Sequence, residues 1–452
     1  ILFFLILNNH ICMKVACLTL GCRTNQHDTA EMQTLLEQEG FKVVNQRDKA
    51  DAYIINTCTV TQKSDASSRQ AVKKSLQINP NALVVFTGCY AQLNPEEAAK
   101  LFGVDVVLGN ADKLKIAQLL KIKLLKPTQP WKKSGNTEIV MSNIYRKRIF
   151  RTIPVKNFHG MTKALIKIQT GCDEKCSFCT VVRARGTSIS DQRENILNNV
   201  REAINTGFKE ITLTGINLGT WGMERKETFS SLVNDIVNIP GDFRIRLSSI
   251  NPMEIDDHLI KLIAKTEKLC SYLHIPLQSG DNDILRRMRR NYSREQYIDV
   301  VNRAANTIPN LGLGADVIVG FPGETEIAFE NTRKLIKDLP FSYLHVFTYS
   351  PRRGTEANTY KDDVPGKIKK ERNKILTQLI KEKGLKFKTK FLKKTAIVLI
   401  ENQRDKNSGK LKGHTDNYIP ISLNGPDTLK SQLVPITLKK LSENYVEGCL
   451  LS

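Results

Sequence analysis

The run Gly171-Cys172-Asp173-Glu174-Lys175-Cys176-Ser177-Phe178-Cys179 constrains this chain more than any other stretch. Its C-x3-C-x2-C spacing gathers three thiols in one short loop, a donor set that suits a cubane iron–sulfur cluster. A cubane has four irons, so three protein ligands leave one iron open. An open iron can take a small molecule through an amine and a carboxylate. Ferredoxin runs differ, with equal gaps and a fourth cysteine. Structural zinc asks for four ligands, and no His or Cys follows within the next dozen residues.

Ahead of this loop the chain alternates strand and helix. Apolar runs at 14–20, 52–56, 83–87 and 104–108 predict strands, with helices over 29–39 and 65–77 among those between them. Such alternation predicts an open parallel sheet with helices on both faces. Cys22, Cys58 and Cys89 each fall just after one of the first three strands. Their separations, 36 and 31 residues, suit single βαβ units. The carboxyl ends of parallel strands line the ligand crevice, so these three thiols are expected to meet at one rim as a second three-cysteine site. Cys17, inside the first strand, suits the core.

These motifs carry a resemblance. Thr19-Leu20-Gly21-Cys22-Arg23-Thr24-Asn25-Gln26, Asn56-Thr57-Cys58-Thr59-Val60-Thr61 and Thr87-Gly88-Cys89-Tyr90-Ala91-Gln92 resemble the N-terminal domain of methylthiotransferases. The cysteine loop resembles that of radical S-adenosylmethionine (SAM) enzymes. The match continues through Arg183-Ala184-Arg185-Gly186, His274-Ile275-Pro276-Leu277-Gln278-Ser279-Gly280, Asp316-Val317-Ile318-Val319-Gly320-Phe321-Pro322-Gly323-Glu324-Thr325 and Tyr349-Ser350-Pro351-Arg352-Arg353-Gly354-Thr355. Within the family the chain looks most like the MtaB branch. The resemblance implies two 4Fe-4S clusters and SAM as cofactors. It implies methylthiolation of carbon 2 of N6-threonylcarbamoyladenosine beside the tRNA anticodon. One cluster would cleave SAM and the other would hold the sulfur. One departure is local: relatives often carry Ile-Pro after the third cysteine of the loop, where this chain has Val181-Val182.

Strand candidates at 164–169, 210–214, 244–248, 272–276, 314–319 and 344–348 follow a proline-bearing connector. Six β/α units fit the partial barrel that the resemblance implies, with its site expected at the strand carboxyl ends. The domains are expected at 13–127 (second-cluster domain), 128–157 (linker), 158–385 (radical SAM barrel) and 386–452 (a small all-β module). Residues 1–12 are expected to be an upstream extension before Met13. Thr214, Gly215 and Asn217 follow the second barrel strand, at the position that the resemblance assigns to the SAM amine. Gln278 and Gly320 follow the fourth and fifth strands and are further SAM candidates, although turn chemistry explains such residues equally well. His258, His274 and His345 look isolated, and none is assigned as a general base.

The chain carries a formal charge of +22, which directs it towards polyanions. Residues 365–394 hold twelve Lys/Arg against two Glu and predict a basic helix over 367–385. Beyond it, Gly413-His414-Thr415-Asp416-Asn417-Tyr418-Ile419-Pro420 resembles the TRAM module, a small RNA-binding barrel. Arg183, Arg185, Lys386, Lys388, Lys390, Lys393 and Lys394 are the expected RNA-phosphate contacts. Removing 386–452 is expected to cost RNA affinity while both clusters stay loaded. The implied partners are tRNA, an electron donor and a sulfur donor. Ten cysteines in so long a chain suit a reducing, cytoplasmic setting rather than a disulfide framework. Two other functions fit part of the pattern. One is a ribosomal-protein aspartate methylthiotransferase. The other is a non-catalytic RNA-binding iron–sulfur redox sensor, which would not need a six-unit barrel.

Overall fold

The computed structural model describes residues 12–59, 61–124, 133, 135–146, 150–361 and 363–451. The expected upstream extension lies outside the described residues except for Cys12, as do residues 128–132 and 134 of the expected linker. Two compact units form. Of the described residues, one unit holds those up to 146 with Val155–Asn157 and Val181–Thr187; the other holds Phe150–Pro154, Phe158–Thr180 and those from Ser188 on.

In the first unit, strands β1 (Lys14–Thr19), β2 (Lys42–Val44), β3 (Ala52–Thr57), β4 (Leu83–Gly88), β5 (Val106–Leu108) and β6 (Glu138–Val140) pair in the order β2-β1-β3-β4-β5-β6. Every pairing is parallel. β3 and β4 are buried along their whole length, as unbroken apolar runs covered on both faces should be. Edge strands β2 and β6 are three residues each, too short for a pattern to reveal. Strand β6 comes from the stretch expected to be linker.

The second unit holds β7 (Ala164–Lys167), β8 (Gln169–Thr170), β9 (Ile189–Ser190), β10 (Glu210–Thr214), β11 (Arg244–Leu247), β12 (Tyr272–His274), β13 (Gly312–Val319) and β14 (Tyr343–Thr348). Parallel sheets β7-β10-β11 and β12-β13-β14 are joined by a bridge between Ser249 and His274. The six strands thus run in sequence order, giving the expected partial (β/α)6 barrel. Strands β8 and β9 form a separate antiparallel pair. Register sets Leu313, Ala315, Val317 and Val319, all buried, on one face of β13. The other face of the same sheet carries His274, Asp316, His345 and Phe347.

The basic helix spans Gly366–Thr389. It leads into β15 (Thr395–Ile400), β16 (Leu411–Thr415), β17 (Pro420–Leu423), β18 (Leu433–Leu441) and β19 (Val446–Leu450), which close into a barrel in the order β15-β16-β17-β19-β18. Val398, Ile400, Leu411, Ile421, Ile436 and Leu438 fill it. Strand β16, with the sequence LKGHT, was not foreseen, because Lys412, Gly413 and His414 mask its alternation.

Its β16–β17 turn departs from expectation. Arg246 donates to the carbonyls of Asp416 (2.8 Å) and Thr415 (3.0 Å), and Arg244 to those of His414 (2.9 Å) and Ile397 (3.1 Å). Glu210 accepts from both guanidinium groups. Burial favours a neutral Glu210, but Arg246, Lys163 and Arg244 override it and hold the carboxyl well below the usual range. The Tyr418 ring lies 4.9 Å from that of Tyr272. A Cβ on Gly312 would stand 2.2 Å from the Asn417 oxygen, so only glycine fits there. The segment that resembles an RNA-binding motif therefore seats the small barrel on the large one.

Candidate iron–sulfur and SAM sites

In the first unit the three cysteines occupy strand carboxyl ends. Cys22 caps the helix Arg23–Gln38, Cys58 follows β3, and Cys89 opens the helix Cys89–Leu93 after β4. Two glycines let these turns close on one another. Gly21 has φ +94°, and a Cβ there would lie 2.5 Å from the Cys58 Cβ and 2.7 Å from its sulfur. Gly88 has φ +97°, and its Cβ would lie 2.4 Å from the Thr57 backbone. Asn25 ties the turns further, donating to the carbonyls of Leu20 (2.8 Å) and Thr57 (2.9 Å).

Arg185 belongs to this unit and is a correction to the RNA assignment. Its side chain is buried; Nη2 donates to Asp28 Oδ2 (2.9 Å) and to Asn25 Oδ1 (2.5 Å). Lys113, also buried, reaches the same Asp28 oxygen at 2.8 Å. A guanidinium spent on a buried carboxylate cannot hold an RNA phosphate. Burial acts against the charge on Arg185, but Asp28 outweighs it, with the Cys89 and Cys22 sulfurs acting in the same direction, and leaves its pKa raised. His27, Asp28 and Glu31 bring donor atoms within 4.8 Å of one another, yet Asp28 is already committed to two cations. Arg183, two residues earlier, is exposed.

In the second unit the loop after β8 carries Cys172, Cys176 and Cys179. Ser177 anchors it by donating to the carbonyls of Met288 (N, 3.1 Å) and Arg287 (Oγ, 2.8 Å). The Glu174 amide donates to Cys172 Sγ at 3.4 Å, and Arg290 Nη1 donates to Cys176 Sγ at 3.0 Å. Burial, and then the neighbouring Cys179 and Cys176 thiolates, push the Cys172 thiol up to about 12. Three sulfurs held in one loop, with an N–H donor on Cys172 and a cationic one on Cys176, fit an iron–sulfur core, whose positive charge would favour the thiolate form that burial disfavours. Among the described residues no pair of cysteines forms a disulfide.

A polar network runs from Cys176 to the loop after β10. Arg290 Nη2 donates to Asn251 Oδ1 (2.8 Å), and Asn251 Nδ2 to Asn217 Oδ1 (3.0 Å). Asn217 Nδ2 donates to Glu254 Oε1 at 2.8 Å. The Ile216 and Asn217 amides converge on Gln169 Oε1 at 3.0 and 2.9 Å. Thr214 is buried at the end of β10, and a Cβ on Gly215 would stand 3.1 Å from Gln169 Oε1. Thr214, Gly215 and Asn217 are thus brought together near the loop. Gln278 takes a left-handed φ of +63°, and its amide donates to the Asp316 carbonyl (2.8 Å). Gly320 packs against Lys369, whose Cγ would lie 2.3 Å from a Cβ there, so close packing accounts for that glycine. Beside the loop a cavity of about 630 Å³ is lined by Asp173, Glu174, Lys175, Ser188, Thr220 and Glu224 among others.

Sequence reasoning missed Arg290, Asn251, Glu254 and Gln169. Gln169, the last residue of the strand expected at 164–169, and Asn251, shortly past β11, stood where a strand end could have signalled them. His274 and His345, isolated in sequence, stand 6.0 Å apart between ring centroids, with His274 Nε2 3.2 Å from Asp316 Oδ2. Lys386, Lys390, Lys393 and Lys394 are exposed at the end of the basic helix and in the following turn. Lys388 is half-buried, and burial lowers its pKa.

Comparison with known proteins agrees with this architecture. Residues 14–109 match the model of "Uncharacterized protein family UPF0004", and 166–336 match the radical SAM superfamily. The chain is 41% identical to the threonylcarbamoyladenosine tRNA methylthiotransferase MtaB of Aquifex aeolicus, over 91% of this chain and 97% of that one. It is 35% identical to the Bacillus subtilis protein of the same name, over 96% and 95%. It is 33% identical to a tRNA-2-methylthio-N(6)-dimethylallyladenosine synthase of Clostridium botulinum, over 95% of each. Among solved structures, the radical SAM methyltransferase TsrM of Kitasatospora setae shares the fold, with TM-score 0.55 at 14% identity over 77% of this chain and 74% of that one. Identity of this extent across nearly the whole chain places it plainly: it belongs to the MtaB-type methylthiotransferases of the radical SAM superfamily.

Proposed function

We propose that this protein is a tRNA methylthiotransferase that modifies carbon 2 of N6-threonylcarbamoyladenosine next to the anticodon. One observation carries the reading: two separate three-cysteine sets stand one in each unit, the first at the carboxyl ends of a parallel sheet and the second in the single loop after β8. Cys172, Cys176 and Cys179 would hold one 4Fe-4S cluster, and Cys22, Cys58 and Cys89 a second. When bound, these groups supply one-electron cleavage of SAM and a site for the transferred sulfur. The protein's part is to position and shield. Gln169 and Glu254 fix the Thr214–Asn217 turn, where the SAM amine would bind. The exposed lysines at 386–394 and Arg183 offer the phosphate contacts. The greater identity to threonylcarbamoyladenosine enzymes than to the dimethylallyladenosine enzyme supports the choice of nucleoside. A tRNA partner, electron and sulfur donors and a reducing cytoplasmic setting follow from the same reading. Among the described residues no helix is long and apolar enough to cross a membrane.

The test is nucleoside mass analysis of tRNA from cells with and without the gene. The expected result is loss of the methylthio form of threonylcarbamoyladenosine, leaving the unmodified nucleoside to accumulate. Loss of the dimethylallyl form instead would move the chain to the other substrate. Unchanged tRNA, with no 5′-deoxyadenosine released from SAM by the purified protein, would favour a redox sensor.

A further inference from the structure

Arg290 is held in one orientation from three sides. Nη1 donates to Cys176 Sγ at 3.0 Å, and Nη2 to Asn251 Oδ1 at 2.8 Å. Beneath the guanidinium lies the Tyr292 ring, 4.9 Å from it. Tyr292 is itself fixed, its hydroxyl 3.0 Å from the carbonyls of both Pro276 and Leu277. Among the described residues no carboxylate lies within 4.0 Å of this cation, and its buried Nε finds no acceptor. The other partly or fully buried arginines named above, Arg185, Arg244 and Arg246, each have a carboxylate. A guanidinium so placed keeps its positive charge for the sulfur it touches.

We infer that Arg290 is a positioning residue that sets the reduction potential of the cluster held by Cys172, Cys176 and Cys179, through an N–H···S bond to Cys176. This rests on the cluster reading of those three cysteines. The physical reason is charge. Reduction adds one electron to the cluster, so a fixed positive donor on a ligand sulfur stabilises the reduced state more than the oxidised one and raises the potential. Charge-assisted donors are about twice as strong as neutral ones. Asn251 is the brace. It joins Arg290 to Asn217 and Glu254, so the turn proposed for the SAM amine and the ligand sulfur share one hydrogen-bonded frame.

The experiment uses the full chain with Cys22, Cys58 and Cys89 replaced by Ala, so that one cluster is read. Dithionite titration followed by electron paramagnetic resonance compares this reference with Arg290→Gln, Arg290→Lys and Asn251→Ala. Arg290→Gln is expected to lower the reduced-to-oxidised ratio at a fixed potential about tenfold, a shift of 59 mV to the negative for one electron. Arg290→Lys is expected to recover part of the loss, since it restores charge without the two-pronged geometry. Asn251→Ala, which leaves Nη1 in place, is expected to shift in the same direction by less. A loaded Arg290→Gln chain with the reference potential and signal would overturn the inference and leave Arg290 a packing residue. If Arg290→Gln binds no iron, an unshifted potential in both Arg290→Lys and Asn251→Ala overturns it as well. A reference chain that binds no iron at all sinks the cluster reading, a failure visible before any variant is compared.

Discussion

Arg183 and Arg185 sit two residues apart in Arg-Ala-Arg, and the fold gives them opposite fates. Arg183 is exposed, whereas Arg185 is buried and shares Asp28 with Lys113. Asp28 keeps Lys113 when Arg185 is removed, so what is lost is the pair of charge-assisted hydrogen bonds to Asp28 and Asn25, each worth about 1.5–3 kcal/mol. Arg185→Ala is therefore expected to lower the unfolding free energy of the first unit by at least about 1.5 kcal/mol, seen as a lower denaturant midpoint at unchanged slope. Its tRNA salt dependence should match the parent once folded protein is counted. Arg183→Ala should leave stability within about 0.5 kcal/mol and reduce the salt slope of tRNA binding by roughly one contact. Denaturation curves and binding at two salt concentrations check both. An Arg185→Ala chain of parental stability would contradict the buried pair. Sequence could not separate these residues, because neither periodicity nor spacing says which side of a five-residue helix, Val181–Arg185, meets Asp28.

Among the elements, β15 and β16 of the small barrel carry a charge arrangement that makes a pH-dependent edge. Antiparallel pairing brings Glu401, just past β15, beside Lys412 and His414 of β16. The His414 hydrogen bond first, with Lys412 adding to it against partial burial, holds the Glu401 carboxyl down to about 2 from the ordinary 4.5. Burial lowers the pKa of His414, and nearby Lys163 and Arg246 work in the same direction. A depressed carboxyl contributes stability that is present above about 4.5 and lost as pH falls towards about 2. Half-exposed pairs are worth below about 1 kcal/mol, so the effect is small. Glu401→Gln is expected to flatten the acid limb of the thermal stability profile between those limits. An unchanged limb would place the acid sensitivity elsewhere. The charges that create this edge, Lys412 and His414, also hid β16 from the sequence.

For the whole molecule, the small barrel is not a detachable RNA handle. Arg244 and Arg246 spend four bonds on its backbone carbonyls, and their charge partner Glu210 is fully buried in the large barrel. Deleting 386–452 strips those acceptors, and bonds to charged donors are each worth about 1.5–3 kcal/mol. The deletion is expected to destabilise the large barrel by at least about 3 kcal/mol. It should also reduce iron loading at Cys172, Cys176 and Cys179, against the expectation from sequence that loading would survive. Iron content and melting temperature of the truncated chain decide between the two. The truncated chain keeping parental values of both would restore the separable-module view.

Local patterns determined much of this protein. Unbroken apolar runs at β3 and β4 required a buried parallel sheet, and strand–helix alternation required the open barrel, because each follows from the period of burial alone. The six cysteines of the two triads stood out because each lies in one short loop or just past a strand, where chain order already predicts convergence. Tertiary structure alone decided which charges face solvent and which face one another. Arg185 on Asp28, Arg246 on Glu210 and Arg290 on Cys176 join residues 157, 36 and 114 positions apart. No local pattern encodes such pairs. The same arginine that would bind phosphate at a surface becomes, once buried, the partner of whatever anion or carbonyl the fold brings to it.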